Sequence, residues 1–181
     1  MADRFGRPSW DDYFMAINFV LKTRSLDPST KHGSLVFDDQ HAILSTGYNG
    51  PPRGSIDENI PLTRPEKYDF MIHAEEGCIQ NAARNGIKLE GASVSVTGRP
   101  CKICLRNMKS VGIKKVIYGP VKSYMITPED LKVQKQLLIG SKIKIEEYKD
   151  DGFVDVLLDA LFSAEECGID IRSKIRKRLK A

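Results

Sequence analysis

From Ala92 onward the sequence alternates two periods. Three short runs, ASVSVT (92–97), KKVIY (114–118) and KIKIEEY (142–148), read as strands, and between them CKICLRNMKSV (101–111) and TPEDLKVQKQLLIG (127–140) carry apolar residues at helical spacing. Strand–helix–strand alternation requires right-handed crossovers and hence a locally parallel sheet with helices covering it. Upstream, GSLVF (33–37) and AILSTGY (42–48), joined by DDQH, read as an antiparallel hairpin. These elements predict a three-layer α/β/α domain: a mixed five-stranded sheet with helices on both faces.

The remaining helices have local start and stop signals. WDDYFMAINFVLKTRS has Ser9 as its N-cap, and a helix from His73 to Arg84 is stopped at Asn85-Gly86. Thr127 caps the segment that begins with Pro128, with Asp130 three residues after the cap. The loop YNGPPRGSIDENIPLTRPEKYD holds four prolines and two glycines, and a loop of that length in a compact domain is more often functional than idle. Residues 1–150 are expected to form the catalytic domain. Residues 151–181 form a helical extension, amphipathic in FVDVLLDALF and basic at its end.

Charge and cysteine usage exclude several classes. Six of the 28 Lys and Arg side chains lie between Arg172 and Ala181, leaving 22 against 24 acidic ones in the preceding residues, so the net charge of +4 belongs to the tail. A near-neutral body argues against a nucleic-acid track, and no apolar run approaches the ~20 residues that span a bilayer. The charged and Pro-interrupted start does not read as a signal peptide. A cytoplasmic, reducing compartment is expected, where four cysteines do not form a disulfide framework. Cys78 and Cys167 read as small hydrophobes, and His32 and His41 as surface or hairpin residues.

Two segments carry chemistry. RPCKIC (99–104) sets Cys101 and Cys104 one helical turn apart at a helix entry, where the dipole favours the thiolate. A C-x-x-C pair alone also fits a redox dithiol or half of a structural zinc knuckle. FMIHAEEGC (70–78) sets His73 at another helix start with Glu75 two residues on, which as a plain helix start would only complement the dipole. Helix starts in an α/β sheet converge on one edge. One imidazole and two thiolates leave a fourth zinc position open, as catalytic sites require, and select zinc over harder cations. Water activated there would find Glu75 placed to take its proton.

The pairing of H-A-E with P-C-x-x-C resembles the zinc-dependent cytidine deaminase superfamily. RPSWDDYFM, SLDPSTKHGSLVF, STGYNGPPRG, HAEE, RPCKIC and KKVIYG together resemble its deoxycytidylate deaminase branch, from Arg7 to Tyr148. The resemblance implies a cytidine deaminase-like fold and hydrolysis of dCMP to dUMP and ammonia. It assigns His73, Cys101 and Cys104 to one Zn2+ and Glu75 to proton transfer. It places Asn49 at the substrate sugar and the Ala74 N–H at the pyrimidine carbonyl, with Tyr118 and Tyr124 bordering the nucleotide. Asn49 also reads as a turn residue, and the tyrosines as packing. Family members are commonly activated by dCTP and inhibited by dTTP, each with Mg2+, and assemble as hexamers. Arg53 and Gly50 in the Pro- and Gly-rich loop are the expected part of an effector site. A deaminase of another cytosine nucleotide, base or polynucleotide, and a non-catalytic zinc-stabilised regulator, are the alternatives. Gly77, inside a helix, is expected to mark the close approach of another backbone or of a neighbouring subunit.

Overall fold

The structure is a computed structural model that describes residues 6–123 and 126–179. A helix α1 (Trp10–Leu21) precedes the hairpin strands β1 (Gly33–Phe37) and β2 (Ile43–Tyr48). Then come α2 (Ala74–Arg84), β3 (Ser93–Val96), α3 (Lys102–Ser110), β4 (Lys115–Tyr118), α4 (Pro128–Leu138), β5 (Lys144–Glu147), α5 (Gly152–Glu166) and α6 (Ile171–Leu179). The strands lie in the order β2-β1-β3-β4-β5. β1 pairs antiparallel with both β2 and β3, whereas β3, β4 and β5 run parallel, which is the expected mixed sheet.

Strand alternation divides the apolar side chains between two cores. Val36, Val94, Val96 and Val116 meet Cys78 and Ala82 of α2 and Leu105 and Met108 of α3 on one face. Leu35, Phe37 and Ile117 meet Phe14 and Met15 of α1 on the other, where Phe153 of α5 also packs. The sheet is therefore the middle of three layers. Ser9 accepts from Asp12 N–H and Thr127 from Asp130 N–H, so both expected caps form.

The close backbone approach lies across from its expected position. An added Cβ on Gly77 would be in ordinary contact, at 3.6 Å from the Tyr48 carbonyl oxygen. One on Gly47 would lie 2.3 Å from the Ala74 oxygen and 2.7 Å from the Cys78 nitrogen. The absent side chain of the strand glycine is what lets α2 lie directly on β2. A helical glycine signals only its own backbone cost, whereas this contact is made by the partner element.

Because β2 and β3 point the same way, the segments leaving their C-terminal ends emerge at one edge of the sheet. After β2 the long loop returns through a bridge between Gly50 and Ile72 to the start of α2. After β3 the chain turns directly into α3. At the far end of the chain, α5 docks on α1 through a stack of Phe153 on Phe19 with ring centroids 4.5 Å apart. Tyr148 donates to Asp12 (2.5 Å) and accepts from Phe153 N–H (3.1 Å) beside it. No residue of α5 or α6 is fully buried. Among the described residues no helix is long and apolar enough to cross a membrane.

Candidate metal centre and active-site cavity

His73 is the N-cap residue of α2 and Cys101 that of α3, each in extended backbone, so both side chains leave the helix entries toward the shared edge. Cys104 follows one turn later. His73 Nδ1 lies 3.2 Å from Cys104 Sγ and 3.5 Å from Cys101 Sγ, and the two sulfurs are 3.6 Å apart. Ligands at about 2.0–2.3 Å from one tetrahedral zinc stand roughly 3.5–3.8 Å from one another. The trio fits one ion on both distance and donor type. It is also the one such cluster of His, Cys, Asp or Glu among the described residues.

The electrostatics of the trio reflect the same crowding. The Cys101 thiol is lowered to about 4 by hydrogen bonding from Cys104, against burial and with help from His73. His73 is raised to about 9, chiefly by its hydrogen bond to Cys101. Cys104, which donates to Cys101 and is itself buried, is pushed up. A thiol lowered in this way favours the thiolate form that binds a cation. Glu75, the second residue of α2, is 6% exposed. Burial raises its pKa more than the neighbouring His73 lowers it, which favours a carboxyl that can take up and release a proton.

His73, Glu75 and Cys101 open onto a cavity of about 370 Å³. Asn49, Ala74, Arg99, Ile103, Met71 and Tyr68 are among its walls. Asn49 does border it, but its side chain also braces the wall, accepting from His32 N–H (2.6 Å) and donating to the Thr30 carbonyl (3.0 Å). Tyr118 lines a shallower depression next door and reaches the cavity through Arg99, whose guanidinium donates to its hydroxyl at 2.9 Å. Tyr124 lies outside the described residues. Arg53 stands in a separate depression with Thr46 and Asn81. Gly50 forms the bridge to Ile72.

His32 is not a surface or hairpin residue, as its sequence position predicts, but part of the cavity wall. Its Nδ1 lies 3.1 Å from Thr97 Oγ1, and burial, with Lys22 and His73 nearby, lowers its pKa to about 4. Gly98 leaves it room, since a Cβ there would lie 2.8 Å from the imidazole Cε1. His41 does sit in the hairpin turn, stacked on Trp10. Also missed is the buried pair of Lys67 and Asp27, 2.7 Å apart, in which Asp27 further accepts from the Ser29 and Thr30 N–H groups. Asp27-Pro-Ser-Thr carries the local signature of such an Asx turn. Lys67 has no local signal, because its partner lies 40 residues away.

The sequence profile described as "Cytidine and deoxycytidylate deaminase zinc-binding region" matches residues 8–120. The chain belongs to this deaminase family. A probable deoxycytidylate deaminase of Drosophila melanogaster is 37% identical over 120 residues, covering 60% of this chain and 58% of that protein. The deoxycytidylate deaminase of Mycobacterium phage D29 is 31% identical over 125 residues, covering 62% of this chain and 95% of the phage protein. The chain spans about six tenths of the fly and human deaminases it matches. Among solved structures, the dCMP deaminase of cyanophage S-TIM5 shares the fold. Its complex with dCMP and dUMP has a TM-score of 0.59 at 23% identity, over 76% of this chain and 95% of that one. The deaminase fold expected from the sequence is thus the fold observed.

Proposed function

We propose that this deaminase family member hydrolyses dCMP to dUMP and ammonia. The observation that carries the reading is the buried carboxyl of Glu75 two residues beyond His73, in the wall of a cavity that His73 and Cys101 also line. A structural metal site has no use for that carboxyl. Support for the substrate comes from relatives that are deoxycytidylate deaminases and from a solved relative holding dCMP and dUMP.

His73, Cys101 and Cys104 would hold a zinc ion, which would supply the Lewis acidity that makes water nucleophilic near neutral pH. Glu75 takes a proton from the water whose oxygen bonds to the amine-bearing carbon, and delivers it to the adjacent ring nitrogen. The carboxylate then takes the remaining hydroxyl proton to the amine, the C–N bond breaks, and ammonia leaves with the carbonyl of dUMP in its place. The Ala74 N–H, unsatisfied within the first turn of α2, is the donor for the pyrimidine carbonyl. Asn49 holds the sugar from the opposite wall. Tyr118 acts on the nucleotide through Arg99.

Residues 1–150 form the catalytic part in this reading and 151–181 an extension. Regulation by dCTP as activator and dTTP as inhibitor, each with Mg2+, and assembly as a hexamer complete the proposal, with Gly50 and Arg53 at the effector loop. Zinc-loaded protein incubated with dCMP should form dUMP and ammonia in equal amounts, faster with dCTP and slower with dTTP in the presence of magnesium. No turnover under any of these conditions would overturn the substrate. Turnover indifferent to both triphosphates would overturn the regulation alone.

A further inference from the structure

Cys101 occupies the N-cap position of α3, yet its side chain makes no capping hydrogen bond. A helix start normally has an oxygen there to satisfy a free N–H. Here the cap residue carries a sulfur, grouped with His73 and Cys104. An acceptor for the first N–H of the helix comes from α4. Asp130 Oδ1, on a side chain 3% exposed, accepts from Lys102 N–H at 3.0 Å. Its other oxygen accepts from Gln134 Nε2 at 2.5 Å, and the same nitrogen donates to the Pro100 carbonyl at 2.9 Å. Gln134 Oε1 in turn accepts from Arg99 Nε at 3.2 Å. The backbone on both sides of Cys101 is thereby fixed by two buried side chains that lie about 30 residues further along the chain.

We propose that Asp130 and Gln134 are positioning residues for the zinc-binding cysteines, with α4 supplying the acceptor for the first N–H of α3, which a side chain at the cap position does not serve. The inference rests on the zinc reading of the trio, but not on the identity of the substrate. Asp130 fixes the first turn of α3, which sets the spacing of Cys101 and Cys104. Gln134 fixes the Pro100 peptide, which sets the direction in which the chain enters Cys101. The same amide aims Arg99 along the cavity wall, so α4 controls one side of the site without itself reaching it. Groups that orient metal ligands are typically worth 10- to 100-fold in metal affinity.

The test is zinc retention by the full chain against a chromophoric chelator, together with the visible absorption of the cobalt-substituted protein, which reports the geometry at the two sulfurs. Asp130→Ala and Gln134→Leu should each release zinc about 10- to 100-fold more readily than the parent and shift the cobalt bands. Asp130→Asn, which keeps an oxygen for Lys102 N–H, should recover part of the loss. Leu137→Ala loosens the packing of α4 without touching the clamp, and should leave zinc affinity and the cobalt spectrum unchanged. If Asp130→Ala yields no folded protein, Gln134→Leu and Asp130→Asn carry the same comparison. Parental zinc affinity and spectra in the clamp variants, or losses no greater than that of Leu137→Ala, would overturn the proposal. A parent that takes up zinc but leaves dCMP untouched would sink only the substrate reading, whereas one that takes up no zinc would sink the metal reading as well.

Discussion

Glu75 and Lys67 are both charged residues sealed into the cavity wall, and burial gives them opposite duties. Burial raises the pKa of Glu75 more than the neighbouring His73 lowers it. Glu75→Gln keeps the size and removes the proton carrier. The variant should retain one zinc per chain by metal analysis while dCMP turnover falls by at least about 100-fold, the lower end for loss of a general acid–base group. Lys67, 2% exposed, is held instead by the Asp27 carboxylate. Burial raises the Asp27 pKa, but hydrogen bonds from Lys67 and from Ser29 and Thr30 outweigh it and leave the carboxyl below its ordinary value. Lys67→Met should therefore strand a buried charge and cost about 3–5 kcal/mol in urea unfolding. Adding Asp27→Asn should restore part of that loss. A single variant as stable as the parent would mean that water reaches Asp27.

At the scale of elements, the site depends on how closely two helices sit against the sheet. α2 lies on β2 at Gly47, where the first-turn carbonyl of Ala74 occupies the volume a side chain would need. In Gly47→Ala the neighbours are backbone atoms on both elements and cannot rotate aside, so α2 must lift. Overpacking of this kind costs about 1–3 kcal/mol. Because Ala74 and Glu75 are in the turn that lifts, dCMP turnover should fall further than the fraction of unfolded protein explains, as a titration of folded, zinc-loaded sites would show. The start of α2 was legible from HAEE and its end from Asn85-Gly86. The need for Gly47 was not, since in sequence it is one glycine in a strand and the atoms that exclude a Cβ lie 27 to 31 residues away.

Across the whole molecule, acid should weaken the fold in two stages. His32 is kept neutral chiefly by burial, with Lys22 adding to the effect and Asp27 acting the other way, so that its pKa falls to about 4. In the unfolded chain an imidazole binds a proton near pH 6.5. Between about pH 6.5 and 4 the unfolded state therefore holds the extra proton, and stability falls as pH drops through that window. Below it, Asp12 and Asp27, whose pKa values are lowered in the folded chain, lose their bonds to Ser9 and Tyr148 and to Lys67. Thermal melts of zinc-loaded protein should show the first decline, and His32→Gln should flatten it while leaving the second. An unchanged slope between pH 6.5 and 4 in His32→Gln would place the titrating group elsewhere.

Local chemistry explains what could be read in advance. Period-2 and helical spacing, the Ser9 and Thr127 caps, and the Gly and Pro breaks are short-range signals, and with them came the mixed sheet, its hairpin and the order of the helices. His73, Glu75, Cys101 and Cys104 were legible because their ligand and acid–base chemistry is written at fixed spacing inside two helix starts. The clamp of Asp130 and Gln134 on the cysteine helix, the Lys67–Asp27 pair, the entry of His32 into the cavity and the contact at Gly47 were decided only by the tertiary structure. In each of these a buried polar group or a missing Cβ is matched by atoms tens of residues away, and no local period or propensity records a partner that only folding brings near.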